Sequence, residues 1–118
     1  MARRKSKHVL PPGPVVVDVA GTRLDAALAR GEAVTALERG EVAVAGAEAK
    51  VWAHRAALKI GAELFETTGA RSTSARYGYD RYWRNARVHT LHDPVAYKIR
   101  DLGRYALDGV LPEPTAYS

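Results

Sequence analysis

The chain has 118 residues, a formal charge of +5, 47% apolar residues and no cysteine. That length fits one domain with a modest core, and the missing cysteines exclude disulfides, thiolate catalysis and cysteine-bound metal. Residues 1–8 carry four Lys/Arg and no acid, residues 22–70 six Lys/Arg against seven Asp/Glu, and residues 71–118 eight against five. The excess lies in a short tail and the C-terminal third, which argues against a uniformly basic nucleic-acid-binding domain.

Residues 1–21 read as a basic, Pro-rich leader, poorly ordered or weakly extended. The basic start leads into V-L-P-P-G-P, where a secretory signal would need its apolar core, so no signal peptide is expected. No apolar run is long enough for a membrane span, and a cytoplasmic location is the expectation. Pro11, Pro12, Gly13 and Pro14 should interrupt regular structure. V-V-V-D-V at 15–19 then has the composition of a short strand, one without an evident partner.

Residues 22–118 are expected to be helical. T-R-L-D-A-A-L-A-R at 22–30 reads as the last turns of a helix that Gly31 stops. Residues 41–66 give the strongest pattern: Ala45, Ala49, Trp52, Ala56, Ile60 and Leu64 recur every three to four residues, widened by Val44, Val51, Leu58 and Phe65. Gly69 is the expected stop. A broad face of small residues suits a helix with more than one neighbour. Residues 77–88 read as a short irregular or helical segment. Pro94 fits the first position of a last helix that Gly109 ends, with Asp93 as its N-cap. The predicted buried side of that helix is Ala96, Ile99, Leu102 and Ala106, flanked by Val95 and Leu107, with Gly103 at a tight crossing.

Chemistry-bearing side chains gather between residues 71 and 93. Arg81, Arg84 and Arg87 repeat every three residues, and their planar forks suit either carboxylate partners such as Asp80 and Asp93 or an anionic ligand. His89 and His92 are too few for a zinc site. A single histidine beside a cofactor can hold or give a proton near neutral pH; a capping or packing role is the competing reading. Tyr77, Tyr79, Tyr82 and Trp83 could stack on a planar ligand or serve an interface. Neither a phosphate-binding glycine loop nor an RNA-binding signature accompanies them.

Two segments carry a family resemblance. L-F-E-T-T-G-A-R-S-T at 64–73 and Y-G-Y-D-R-Y-W-R-N-A-R-V-H-T-L-H-D-P-V-A-Y-K from Tyr77 onward resemble the C-terminal helical domain of the acyl-CoA dehydrogenase superfamily. The resemblance is closest to the flavin-dependent monooxygenase branch, which includes the dibenzothiophene desulfurisation monooxygenase. It spans roughly residues 22–118. Ordinary dehydrogenases read R-D-A-R-x-x-x-I-Y-E-G-T here; Arg84, Asn85, Ala86 and Arg87 match its start. Leu91, His92 and Asp93 stand where Ile, Tyr and the proton-abstracting Glu stand in that pattern.

The implied fold is all-α, a partial C-terminal bundle with a long central helix and a C-terminal helix. The resemblance implies His92 as the leading catalytic residue and His89 as the second. It implies Arg71, Ser72 and Asp93 at the cofactor, which would be FMN, with FAD as the alternative. A complete enzyme of this kind receives reduced FMN from a separate reductase and transfers oxygen from a flavin C4a-hydroperoxide to an organosulfur or aromatic substrate. Because the family also needs an N-terminal and a middle domain, the chain alone is expected to be incomplete and inactive. Self-association or a partner chain supplying those domains is therefore expected. The alternatives are a non-catalytic helical assembly protein, an acyl-CoA dehydrogenase fragment and, least expected, a basic nucleic-acid binder.

Overall fold

A computed structural model describes residues 13–113. Four α-helices form the structure: α1 (Gly13–Arg30), α2 (Ala36–Thr68), α3 (Asp80–His92) and α4 (Val95–Asp108). Three short 3₁₀ turns, Gly31–Ala33, Ala70–Thr73 and Ala75–Tyr77, lie between them, and no strand occurs among the described residues. The described residues are all-α, as expected.

The strand expected at 15–19 is instead part of α1, which begins at Gly13. A proline close to a helix start costs little, because the first amides have no acceptor within the helix. The low helix propensity of the valines is overridden by packing: Val16 is 1% exposed, the most enclosed large side chain of the core. Residues 1–12, the rest of the expected leader, lie outside the described residues. Gly31 follows the last residue of α1 with φ 56°, in the left-handed region where glycine is favoured.

α2 has 33 residues and starts five residues before the predicted helix. Its start is a capping box: Thr35 Oγ1 accepts from the Glu38 amide at 3.2 Å, and the Glu38 carboxylate accepts from the Thr35 amide at 2.9 Å. Gly69 ends it, donating its amide to Phe65 O at 2.9 Å.

Every other helix packs on α2. Val44, Ala45, Ala47 and Val51 are its buried apolar residues, so the small-residue face is real, but Ala56 and Ile60 of the predicted stripe are exposed.

α3 and α4 follow α2 backwards. Trp83 lies against Gly61, Asp93 against Lys50, and Leu111, beyond α4, against Gly40. A Cβ on Gly61 would sit 3.2 Å from Trp83 Cα, so glycine is what allows α3 to approach α2 so closely. The return path breaks at Asp93, whose φ of −124° and ψ of 93° are extended, as a residue before proline prefers.

Two expectations for α4 are corrected. Its N-cap is Pro94, and no side chain caps it; the Asp93 carboxylate is held elsewhere. Its inward face is Val95, Lys98, Leu102 and Tyr105, whereas Ala96, Ile99 and Ala106 are exposed and Gly103 meets no close neighbour. Gly109 ends α4 with φ 71°, as predicted.

Candidate functional site

The α3–α4 break gathers the titratable groups. His92 is the last residue of α3 and is exposed; His89, one turn earlier, is exposed as well. Asp93 comes next, and its side chain is only 23% exposed. Lys50, from the middle of α2, donates to the Asp93 carbonyl at 3.1 Å and to the carboxylate Oδ2. Lys98, one turn into α4, brings its Nζ to 3.7 Å from the same oxygen. The hydrogen bond from Lys50, supported by the charge of Lys98, holds the Asp93 carboxyl below the usual carboxylate range, against partial burial that works the other way.

His54 lies one turn along α2 from Lys50. Burial pushes its imidazole below the ordinary range, and the charges of Lys50 and His89 act in the same direction, while Asp93 opposes them. Its Nδ1 is buried without a hydrogen-bond partner. Such a nitrogen is costly to ionise and favours the neutral ring.

The other expected cofactor residues lie far from this cluster. A helix rises about 1.5 Å per residue, which puts the Lys50 level of α2 roughly 27 Å from its end at Thr68. Arg71 and Ser72 follow that end, in the 3₁₀ turn Ala70–Thr73. Arg71 is exposed. Ser72 is 6% exposed: its hydroxyl donates to Gly69 O at 2.6 Å and lies 2.7 Å from Thr68 Oγ1, and its amide donates to Gly69 O at 3.1 Å. Ser72 therefore builds the turn that presents Arg71. The structure brings His89, His92 and Asp93 together, and it keeps Arg71 and Ser72 apart from them.

The arginine series has local partners. Arg81 lies over the Tyr82 ring, 4.9 Å from its centroid, and donates to the hydroxyl at 2.9 Å. Arg84 pairs with Asp80 at 3.6 Å, and Arg87 donates to the buried Thr90 hydroxyl at 3.0 Å. Tyr77 and Tyr79 stack on each other, with centroids 5.6 Å apart. Among the described residues no three His, Asp or Glu side chains converge as a metal site would require.

Lys50, Lys98 and His54 are the site members that sequence reasoning missed. Lys50 and His54 share one face of α2 at a spacing of four, which is visible in the sequence. The partner of Lys50, 43 residues away, is not.

Residues 15–96 match the acyl-CoA dehydrogenase C-terminal domain. The chain belongs to that family. Within it, the chain is similar to FMN-dependent monooxygenases. It is 50% identical over 104 residues to a probable FMNH2-dependent monooxygenase of Pseudomonas putida, covering 88% of this chain and 26% of that protein. The structure of methanesulfinate monooxygenase from Pseudomonas fluorescens superposes with a TM-score of 0.84 at 51% identity, over 89% of this chain and 27% of that one. The FMN-bound dibenzothiophene monooxygenase of Paenibacillus sp. A11-2 follows at 0.68 and 37% identity, over 92% of this chain and 30% of that one. The chain thus spans between a quarter and a third of these relatives.

The helical domain is what this chain holds in common with a family of flavin-dependent oxidoreductases. No described helix is long and apolar enough to cross a membrane.

Proposed function

We propose that the chain supplies the His92-bearing helical wall of a reduced-FMN-dependent monooxygenase. One oxygen of a flavin C4a-hydroperoxide passes to an organosulfur or aromatic substrate, and the other leaves as water. The likeness to methanesulfinate monooxygenase, at 51% identity over 89% of the chain, carries this reading. Reduced FMN comes from a separate reductase, and the flavin does the oxygen chemistry while the protein positions it and manages protons.

The residues suit these roles. An imidazole can hold and give a proton near neutral pH, and His92 ends α3 exposed, beside an anchored turn. His89, one turn back, is the second candidate. The exposed guanidinium of Arg71 suits the FMN phosphate. Because Arg71 follows the end of α2, roughly 27 Å along the helix from the Lys50 level, the reading assigns Arg71 and His92 of one chain to different flavins, with a second copy completing each site. Asp93 would border a bound flavin near His92, with its carboxylate committed to lysines.

The same geometry weighs against acyl-CoA dehydrogenation. A carboxylate paired with Lys50 and Lys98, and held below its usual range, is a poor acceptor for a substrate α-proton.

His92→Gln tests the assignment. In a flavin-loaded assembly containing the chain, oxygen transfer should fall by about 10²- to 10⁴-fold, the usual worth of a positioned acid or base, with FMN affinity retained. Wild-type turnover in that variant would sink the role given to His92. A second reading, a non-catalytic helical assembly protein, is favoured by the number of large apolar side chains left exposed, among them Leu24, Leu28, Leu37 and Ile60.

A further inference from the structure

We infer that Lys50 is a positioning residue for His92, acting through the α3–α4 break. The inference rests on the role proposed above for His92.

Three observations converge on it. First, Lys50 holds both the carbonyl and the carboxylate of Asp93, the residue bonded to His92. A turn gripped through its backbone as well as a side chain cannot pivot about the Asp93 side-chain torsions alone. Second, the grip joins separate elements: Lys50 belongs to the middle of α2, the long helix on which the others pack, and Lys98 closes on the same carboxylate from α4. Third, Asp93 is the C-terminal flanking residue of α3, with no side-chain cap on the helix that follows. Carbonyls at a helix C-terminus lack intrahelical partners and carry partial negative charge. The Lys50 ammonium satisfies one of them and neutralises that end.

α3 packs on α2 along its length, and the Lys50 clamp extends that hold to the residue that follows His92. His92 itself is exposed, so packing does not hold it. The residue bonded to it, Asp93, is held by Lys50. Side chains that orient a reacting group often act in this way, and a misplacement of about 1 Å can cost about 100-fold in rate.

The test uses the flavin-loaded assembly with Lys50→Met, Lys50→Arg, His92→Gln and the double variant Lys50→Met/His92→Gln. Lys50→Met should lower kcat by about 10- to 100-fold while leaving FMN affinity and KM close to wild type. Lys50→Arg, which keeps the charge and the donors, should restore most of the loss. The double variant should be no slower than His92→Gln, because a residue acting only through His92 has nothing left to position.

Asp93→Asn, which keeps the backbone carbonyl for Lys50, should lose less than Lys50→Met; it supplies the measurement if Lys50→Met does not fold. A wild-type kcat in Lys50→Met, or losses that multiply in the double variant, would overturn the inference and leave the His92 assignment standing. In Asp93→Asn, a loss as large as that of His92→Gln would likewise contradict anchoring through the carbonyl. If His92→Gln alone has wild-type turnover, the His92 assignment fails, and the positioning role falls with it.

Discussion

His54 contributes to folding in a way that depends on pH. Its Nδ1 is enclosed without a partner, and burial, Lys50 and His89 together hold the ring below its ordinary range, with Asp93 opposing. In the unfolded chain the ring takes up a proton near the usual imidazole value of about 6.5. Between that value and the lower folded one, the unfolded state binds more protons than the folded state, so stability falls as pH drops through the window. Thermal unfolding from about pH 7 to about pH 5 should show this decline in the wild type and a shallower one in His54→Leu. Identical slopes for the two proteins would refute the assignment. Asp93 acts lower on the scale: its depressed carboxyl contributes stability above the ordinary carboxylate range, which is lost only as pH falls below it. At this scale the sequence was half legible. Asp93 before a proline looked like an N-cap because the local pattern for one is present, and no local pattern announces that a lysine on another helix will take the carboxylate first.

The helices were legible where their signals are local and lost where neighbours decide. Gly31, Gly69 and Gly109 each follow the last residue of a helix, and all three have positive φ. The start of α2 was missed, although T-A-L-E at 35–38 carries its capping box in plain view. The valines of α1 misled because β-branched residues favour strands when nothing else is known, and the helix is held by burial of Val16. For α4, periodicity fixed the helix but not its rotation: the lysine at 98 faces inward because a carboxylate waits there. The α2–α3 crossing is set by a residue that periodicity treats as blank. Gly61 is buried, and a side chain there meets the Trp83 backbone. Gly61→Leu should therefore force the helices apart and destabilise the chain by about 1–3 kcal/mol despite the better helix propensity of leucine. That loss corresponds to a Tm lower by at least about 4 °C. A Tm equal to or above wild type would mean that the crossing is not close-packed.

At the scale of the whole molecule, the balance between core and surface is unusual. The described residues extend over 61 × 36 × 22 Å, and the buried apolar core consists of Val16, Val44, Ala45, Ala47 and Val51. Larger side chains are outside: Leu24, Leu28, Leu37, Ile60, Leu91 and Leu107 are each more than 45% exposed. Leu24 and Leu28 of α1 continue into Val34, Leu37, Leu111 and Pro112 as one apolar groove along the start of α2. Folded proteins seldom leave so much contiguous apolar surface to water unless another surface covers it. The chain in isolation should therefore self-associate, and sedimentation over a concentration series should give a weight-average mass at least twice that of the monomer. Leu24→Gln, Leu28→Gln and Leu37→Gln combined should shift the chain toward monomer while leaving its helical circular dichroism intact, since none of the three belongs to the core. A wild-type chain that stays monomeric across the series would contradict the expectation. It would also remove the support that exposed apolar surface lends to the assembly reading, leaving the His92 assignment to be decided by turnover alone.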